Sequence, residues 1–274
     1  MAASSEFPTD RGMSRHRRKP RALGFLGFLL LSLIGPVVGH AARGQPPITQ
    51  KSANMDQAIA LLAEARRQFQ TVQDYECRLL KRERVKGTLL PPSEFEMKVR
   101  NKPFSVYLRC ESPKDDKGLE VSYVAGRDRG MMRVQSNGLL GIIGYVSVDP
   151  HDPRAFEKNR HCITDAGLGN LLENTARYWE MERRLNKTLV HITQEDLAGR
   201  ASTRIETIHP DRNGGAFYGY RCVLWLDNET HLPTGAETYD WPRPGVAERG
   251  DLLEWYRYFD LRCNLGLGDG AFPR

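Results

Sequence analysis

Phosphate loops, nucleophile elbows, zinc-binding helices and dinucleotide fingerprints are all missing from these 274 residues. Gly141-Ile-Ile-Gly144 and Gly214-Gly215 stand outside the strand-to-helix context that phosphate cradling requires. No catalytic signature stands out, and neither a cofactor nor a metal is expected. Cysteine is sparse: Cys77, Cys110, Cys162, Cys222 and Cys263 form no C-x-x-C pair and fit no zinc module. After export one or two disulfides could form, which leaves at least one thiol free, and buried free thiols on apolar strand faces are the alternative. Charge imbalance is scarce too, once it is located. The net charge is +6, but up to Ala41 six basic residues face two acidic ones, so +4 sits there and the rest of the chain carries +2. A nearly neutral body excludes nucleic acid as the main partner.

What is present begins with a basic stretch, Arg11 to Arg21, followed by the apolar run Ala22 to Ile34, then Gly35-Pro36 and small residues at Val38-Gly-His-Ala41. This order of charge, short apolar run and small residues predicts a secretory signal peptide over residues 1–41, cut near Ala41. A retained single-span anchor is the alternative, because the run is at the lower edge of bilayer-spanning length. Met13 offers a second start, since Met1 to Arg11 adds nothing such a signal needs, and no cysteine follows the run to take a lipid. Residues 42–53 read as a linker and 54–274 as one domain, exported to the periplasm or cell envelope.

The clearest pattern lies between Ser93 and Ser112. Phe95, Met97 and Val99 alternate with Glu94, Glu96, Lys98 and Arg100. After Asn101-Lys102-Pro103, Phe104, Val106, Leu108 and Cys110 alternate with Ser105, Tyr107, Arg109 and Glu111. Period two on both arms predicts an antiparallel hairpin with one apolar and one charged face. Before it, Met55, Ala58, Ile59, Leu62, Ala65, Phe69 and Val72 recur at three and four residues behind Asn54, which predicts an N-capped amphipathic helix. Strands are predicted at Tyr75–Val85, Leu119–Ala125, Met131–Gln135 and Ile142–Val148. Thr164-Asp165 is expected to cap a second helix running to about Arg184, and strands resume at Leu189–Thr193, Thr203–Ile208, Tyr218–Asp227, Gly235–Trp241 and Leu252–Leu261. Helix, strands, helix, strands is the order of an α+β fold with a large antiparallel sheet.

Two constellations carry chemical weight. Asn159, Arg160 and His161 stand close to Asp165, a titratable ring beside a guanidinium and a carboxylate. They serve either as a general base or as ties for a long loop and a helix start. In Leu253 to Leu261, one face carries Trp255, Arg257 and Phe259 and the other Glu254, Tyr256 and Tyr258. Arg257 amid apolar neighbours needs a partner: a ligand head group at a cavity mouth, or a salt bridge within the protein.

At Lys81-Arg-Glu-Arg-Val85, Lys98-Val-Arg100, Pro103-Phe-Ser-Val-Tyr107, Gly118-Leu-Glu120, Asn159-Arg-His161, Leu232-Pro233 and Leu253 to Leu261, the chain resembles an exported bacterial family catalogued as a domain of unknown function. Its layout is also similar to that of periplasmic lipoprotein-carrier and lipoprotein-sorting proteins. That resemblance implies a half-open antiparallel barrel whose concave apolar face holds acyl chains. The expectation that follows is a non-enzymatic protein binding a lipid or lipoprotein acyl chain. Phe95, Met97, Val99, Phe104, Val106, Leu108, Trp255, Arg257 and Phe259 would contribute to its ligand site, and the first helix would plug it. A hydrolase using His161 and Asp165, and a scaffold binding an envelope protein through its charged sheet face, are the alternatives.

Overall fold

The computed structural model describes residues 53–137 and 144–273, all within one compact unit, Ile48–Arg274. The expected signal peptide, its cut site and nearly all of the expected linker lie outside the described residues. Two helices, α1 (Met55–Phe69) and α2 (Leu168–Leu185), accompany twelve strands: β1 (Asp74–Val85), β2 (Thr88–Leu89), β3 (Ser93–Arg100), β4 (Ser105–Ser112), β5 (Glu120–Val124), β6 (Met132–Gln135), β7 (Val146–Val148), β8 (Leu189–Leu197), β9 (Arg200–Ile208), β10 (Arg221–Asp227), β11 (Pro233–Tyr239) and β12 (Leu252–Cys263). All pairings are antiparallel, in the order β7-β6-β5-β4-β3-β1-β12-β11-β10-β9-β8, with the short β2 attached to β1. The fold is α+β, a large curved antiparallel sheet left open as a half-barrel, with an N-terminal and an inserted helix.

Two meanders, β1 to β7 and β8 to β12, are joined side by side where β1 pairs with β12. The last strand of the first meander and the first of the second therefore end up on opposite edges. The chain between them, residues 149–188, has to cross the sheet. It does so over one face, first as an irregular strap (149–167) and then as α2. That face is the inner face.

α1 starts where the sequence places it. Asn54 accepts a hydrogen bond from the amide of Gln57 at 2.9 Å, and the Gln57 side chain accepts one from the Asn54 amide at 3.0 Å. The expected cap of α2 is different. Thr164 and Asp165 fall in a short 3-10 turn, and the residue before the helix is Gly167, at φ 95°. The buried hydroxyl of Tyr75 on β1 accepts the first helical amide, Leu168, at 2.7 Å. A tertiary contact does here what a local side chain would otherwise do.

The core has two parts on the inner face. Ala58, Leu62 and Ala65 of α1 with Leu172 and Trp179 of α2 cover Val190, Ile205, Leu224 and Leu226 of β8 to β10. Tyr75, Cys77, Leu79, Met97, Val99 and Val106 of β1, β3 and β4 form the second part with Leu168, and Ile163 and Ala166 of the strap pack against it. The first helix thus covers the β8 to β10 half and reaches the β3 and β4 half only at its end, through Phe69. All five cysteines are unpaired. Burial pushes the thiols of Cys77 and Cys222 up to about 12, so both are inert hydrophobes.

Candidate functional site

Register assigns every strand residue to a face. Cys77 is opposite Met97, Met97 opposite Leu108, Leu108 opposite Val121, Val121 opposite Val134 and Val134 opposite Val146. One unbroken apolar row therefore crosses six neighbouring strands of the inner face. Its burial fades along the way: Cys77 and Met97 are buried, Leu108, Val121 and Val134 half-buried, and Val146 is 46% exposed. A parallel row runs through Val99, Val106, Tyr123, Met132 and Val148. Together the rows form an apolar wall that extends past both core clusters beyond β4; in the second row Met132 is still buried, and Tyr123 and Val148 are half-buried.

The nine residues expected at a ligand site are divided by the sheet. Phe95, Met97, Val99, Phe104, Val106 and Leu108 lie in or against the second core cluster, at the inner end of the wall. Trp255, Arg257 and Phe259 lie on the opposite face. Leu80 pairs with Arg257 and Arg82 with Trp255, whereas Leu79 and Lys81 pair with Tyr258 and Tyr256 on the inner side. Arg257 forms an ion pair with Glu237 and stacks over Trp225 at 4.4 Å and Trp255 at 5.7 Å, and Arg78 stacks over Phe259 at 4.9 Å. The arginine's partners are thus inside the protein, and it is not at the mouth of the wall.

At one end the apolar wall gives way to a dense polar cluster. Glu83 and Glu254 are directly opposite each other on β1 and β12, and both are buried. Glu254 Oε2 accepts from Arg160 Nε at 3.0 Å and from the Tyr218 hydroxyl at 3.1 Å, and lies 2.7 Å from His161 Nε2. Glu83 accepts from the Tyr256 hydroxyl at 2.5 Å, from Lys81 Nζ at 2.9 Å and from the backbone amide of Arg160 at 3.2 Å. Lys81 also donates to Asn159 Oδ1 at 2.6 Å, and Arg160 Nη1 donates to the carbonyl of Arg84 at 2.8 Å. Asn159, Arg160 and His161 therefore all reach β1 or β12. Asp165 is exposed, and the carboxylate against the His161 ring is Glu254.

Burial works against the charge on His161, but the hydrogen bond and charge of Glu254, with Glu83 behind it, prevail and hold its pKa above the ordinary imidazole value. Burial likewise opposes the Glu254 carboxylate, and the bond and charge of His161, then Arg160 and Tyr218, hold it below the ordinary range. Both Tyr218 and Tyr256 are pushed upward, first by burial and then by the nearby carboxylates, so they remain hydroxyl donors. Among the described residues no three His, Cys, Asp or Glu side chains converge to hold a metal ion.

Lys81, Glu83 and Tyr218 are the residues that sequence reasoning passes over, and it names Glu254 and Tyr256 only as the face of their strand opposite Arg257. The cue is parity: Glu83 falls on the same side of its strand as Tyr75, Cys77 and Leu79. Two open depressions, of about 530 Å3 between α1 and α2 and about 430 Å3 beside Ala53, Leu61 and Ile192, touch neither the wall nor His161.

Compared with known proteins, residues 72–274 match the model of a family described as a protein of unknown function, DUF1571. No curated protein matches. Among solved structures, an uncharacterized conserved protein from Thermus thermophilus is similar at 7% identity and a TM-score of 0.45, covering 80% of this chain and 93% of that one. The lipoprotein LppX of Mycobacterium tuberculosis is similar at 12% identity and a TM-score of 0.43, covering 78% and 98%. A putative outer membrane lipoprotein-sorting protein domain from Vibrio parahaemolyticus is similar at 13% identity and a TM-score of 0.38, covering 79% and 96%.

Proposed function

We propose, for a chain that belongs to the DUF1571 family of proteins of unknown function, the role of an exported binding protein that carries no catalysis and seats a lipid or lipoprotein acyl chain on the inner face of its sheet. The observation that carries this reading is the apolar row from Met97 through Leu108, Val121 and Val134 to Val146, increasingly exposed toward the β7 edge. An exposed, contiguous apolar surface on a folded domain marks a place where something binds.

The chemistry of the row supports a hydrocarbon occupant. Its side chains beyond Cys77 are alkyl and thioether groups, which bring no hydrogen-bonding partner to the surface. A peptide laid there would lose hydration at its amides without replacement, whereas a hydrocarbon chain has nothing to lose. From β3 to β7 the row crosses four strand spacings, about 19 Å at roughly 4.8 Å each, a span suited to a long fatty acyl chain.

The test is uptake of a fluorescent fatty acid together with native mass spectrometry after mild purification. Enhanced emission on mixing, lost in Val121→Glu, is the expected result. Bare protein in the spectrometer and no emission change would overturn the reading.

A further inference from the structure

We propose that the polar cluster of Lys81, Arg160 and His161 at the end of the wall receives an anionic head group, so that the ligand is an amphiphile ending in a carboxylate or a phosphate. The proposal rests on the acyl-chain reading and names the class of ligand within it.

Three observations lead there. First, the cluster adjoins the inner end of the wall: Lys81 Nζ stands over the Phe95 ring at 5.7 Å, and Phe95 packs against the core cluster that holds Met97 and Val99. A chain lying against Phe95 and Leu108 brings its end group to the polar cluster.

Second, the unused hydrogen-bonding capacity is mostly that of donors. Glu83 has three partners, Tyr256, Lys81 and the Arg160 amide, spread over both oxygens, and Glu254 has four, Arg160, Tyr218, His161 and Tyr256, all at Oε2. The cations are not used up. Lys81 spends two of its three hydrogens, on Glu83 and Asn159. Among the described residues nothing bonds His161 Nδ1, and its side chain is 42% exposed. Arg160 Nη1 and Nη2 each make contacts to a single residue, Arg84 and Tyr218, and keep a hydrogen apiece.

Third, the charges do not cancel. Lys81, Arg160 and a protonated His161 face Glu83 and Glu254, which leaves one positive charge in a half-buried setting, where a charge-assisted bond is stronger than in water. The raised pKa of His161 is consistent with that protonation state. Donors in excess and a net positive charge suit an anion, and repel a cationic head.

The experiment compares three sixteen-carbon probes on the full chain: palmitate, hexadecyl phosphate and hexadecanol, by displacement of the fluorescent fatty acid at pH 6.5. At least one anion should bind about tenfold more tightly than the alcohol, the size expected of one hydrogen bond to a charged group. Whichever anion gains more identifies the head. His161→Gln keeps a donor toward Glu254 while removing the charge, so its melting temperature should stay close to that of the parent while the anion preference falls severalfold. Adding Lys81→Gln should abolish the preference. Equal affinity for all three probes would overturn the head-group site and leave the acyl reading standing. Binding of none would overturn the acyl reading itself. A preference that survives both substitutions would place the anion elsewhere and refute this assignment.

Discussion

The hydroxyl of Tyr75 lies 2.8 Å from where a Cβ on Gly167 would stand. The same hydroxyl accepts the Leu168 amide at 2.7 Å, and Gly167 itself is at φ 95°. One contact thus joins the first long strand to the start of α2 and excludes any side chain at residue 167. Gly167→Ala is expected to cost about 2 to 3 kcal/mol, from the backbone conformation and the clash together. Tyr75→Phe should cost about 1 to 3 kcal/mol by leaving a buried amide without a partner. The double variant relieves the clash, so urea melts should show less than the sum. Strict additivity would mean that the two residues do not act through this contact.

The tie between His161 and Glu254 sets a pH window. The folded-state pKa of His161 is raised above its ordinary 6.5, so its contribution to stability is complete below 6.5 and fades as pH rises through the raised value. For Glu254 the value is lowered from its ordinary 4.5, so its contribution is complete above 4.5 and fades as pH falls through the lowered one. Both are whole between pH 4.5 and 6.5. The difference in melting temperature between the parent and His161→Gln, small as it is, should therefore be largest in that interval and shrink on either side. A difference independent of pH from about 4 to 9 would show that the ring's charge does not hold the strap.

The hairpin around Phe95 and Leu108 is legible because an alternating pattern on both arms leaves one way to bury the apolar side. Asn54 is legible as a cap because the signal is local. Glu83 is not, for it sits in Lys81-Arg-Glu-Arg84, where every residue is charged and the pattern has no contrast. Its role appears only when β12 brings Glu254 opposite. His161 stands out in the sequence beside Asp165, four residues on, yet the carboxylate it meets is 93 residues away. On β12 itself, Trp255, Arg257 and Phe259 outweigh Glu254, Tyr256 and Tyr258 in apolar character, so pattern alone favours the outer face as the buried one. Register with β1 decides otherwise.

Wall and core should respond differently to substitution. Leu172 is 1% exposed beneath α2, and Leu172→Ala is expected to lose about 2 to 5 kcal/mol with little change in fatty-acid affinity for the molecules that remain folded. Val121 is half-buried on the part of the wall beyond both core clusters. Val121→Glu should cost about 1 kcal/mol or less, while lowering acyl affinity roughly tenfold or more, because a carboxylate would have to be buried against hydrocarbon. Thermal melts and displacement titrations on both variants separate the two effects. If Leu172→Ala abolished uptake in the folded fraction and Val121→Glu left it intact, the ligand would lie under the helices instead.

Arg257 offers the last test, since its place on the outer face divides two readings of the same residue. Its guanidinium lies between the Trp225 and Trp255 rings and is paired with Glu237. It fits because Gly235, directly opposite on β11, has no side chain: a Cβ there would be 3.0 Å from the arginine's own atoms. Arg257→Met gives up the stacking and leaves Glu237, 16% exposed, with the Tyr239 hydroxyl at 2.7 Å as its remaining partner among the described residues, for a loss of about 2 kcal/mol. Gly235→Ala should push the guanidinium off Trp225 and cost a similar amount. Because the inner wall faces away from both positions, neither variant should alter fatty-acid affinity or the preference for an anionic head. A selective loss of affinity in Arg257→Met, with the melting temperature unchanged, would return this arginine to the ligand site and move the mouth of the wall to the other side of the sheet.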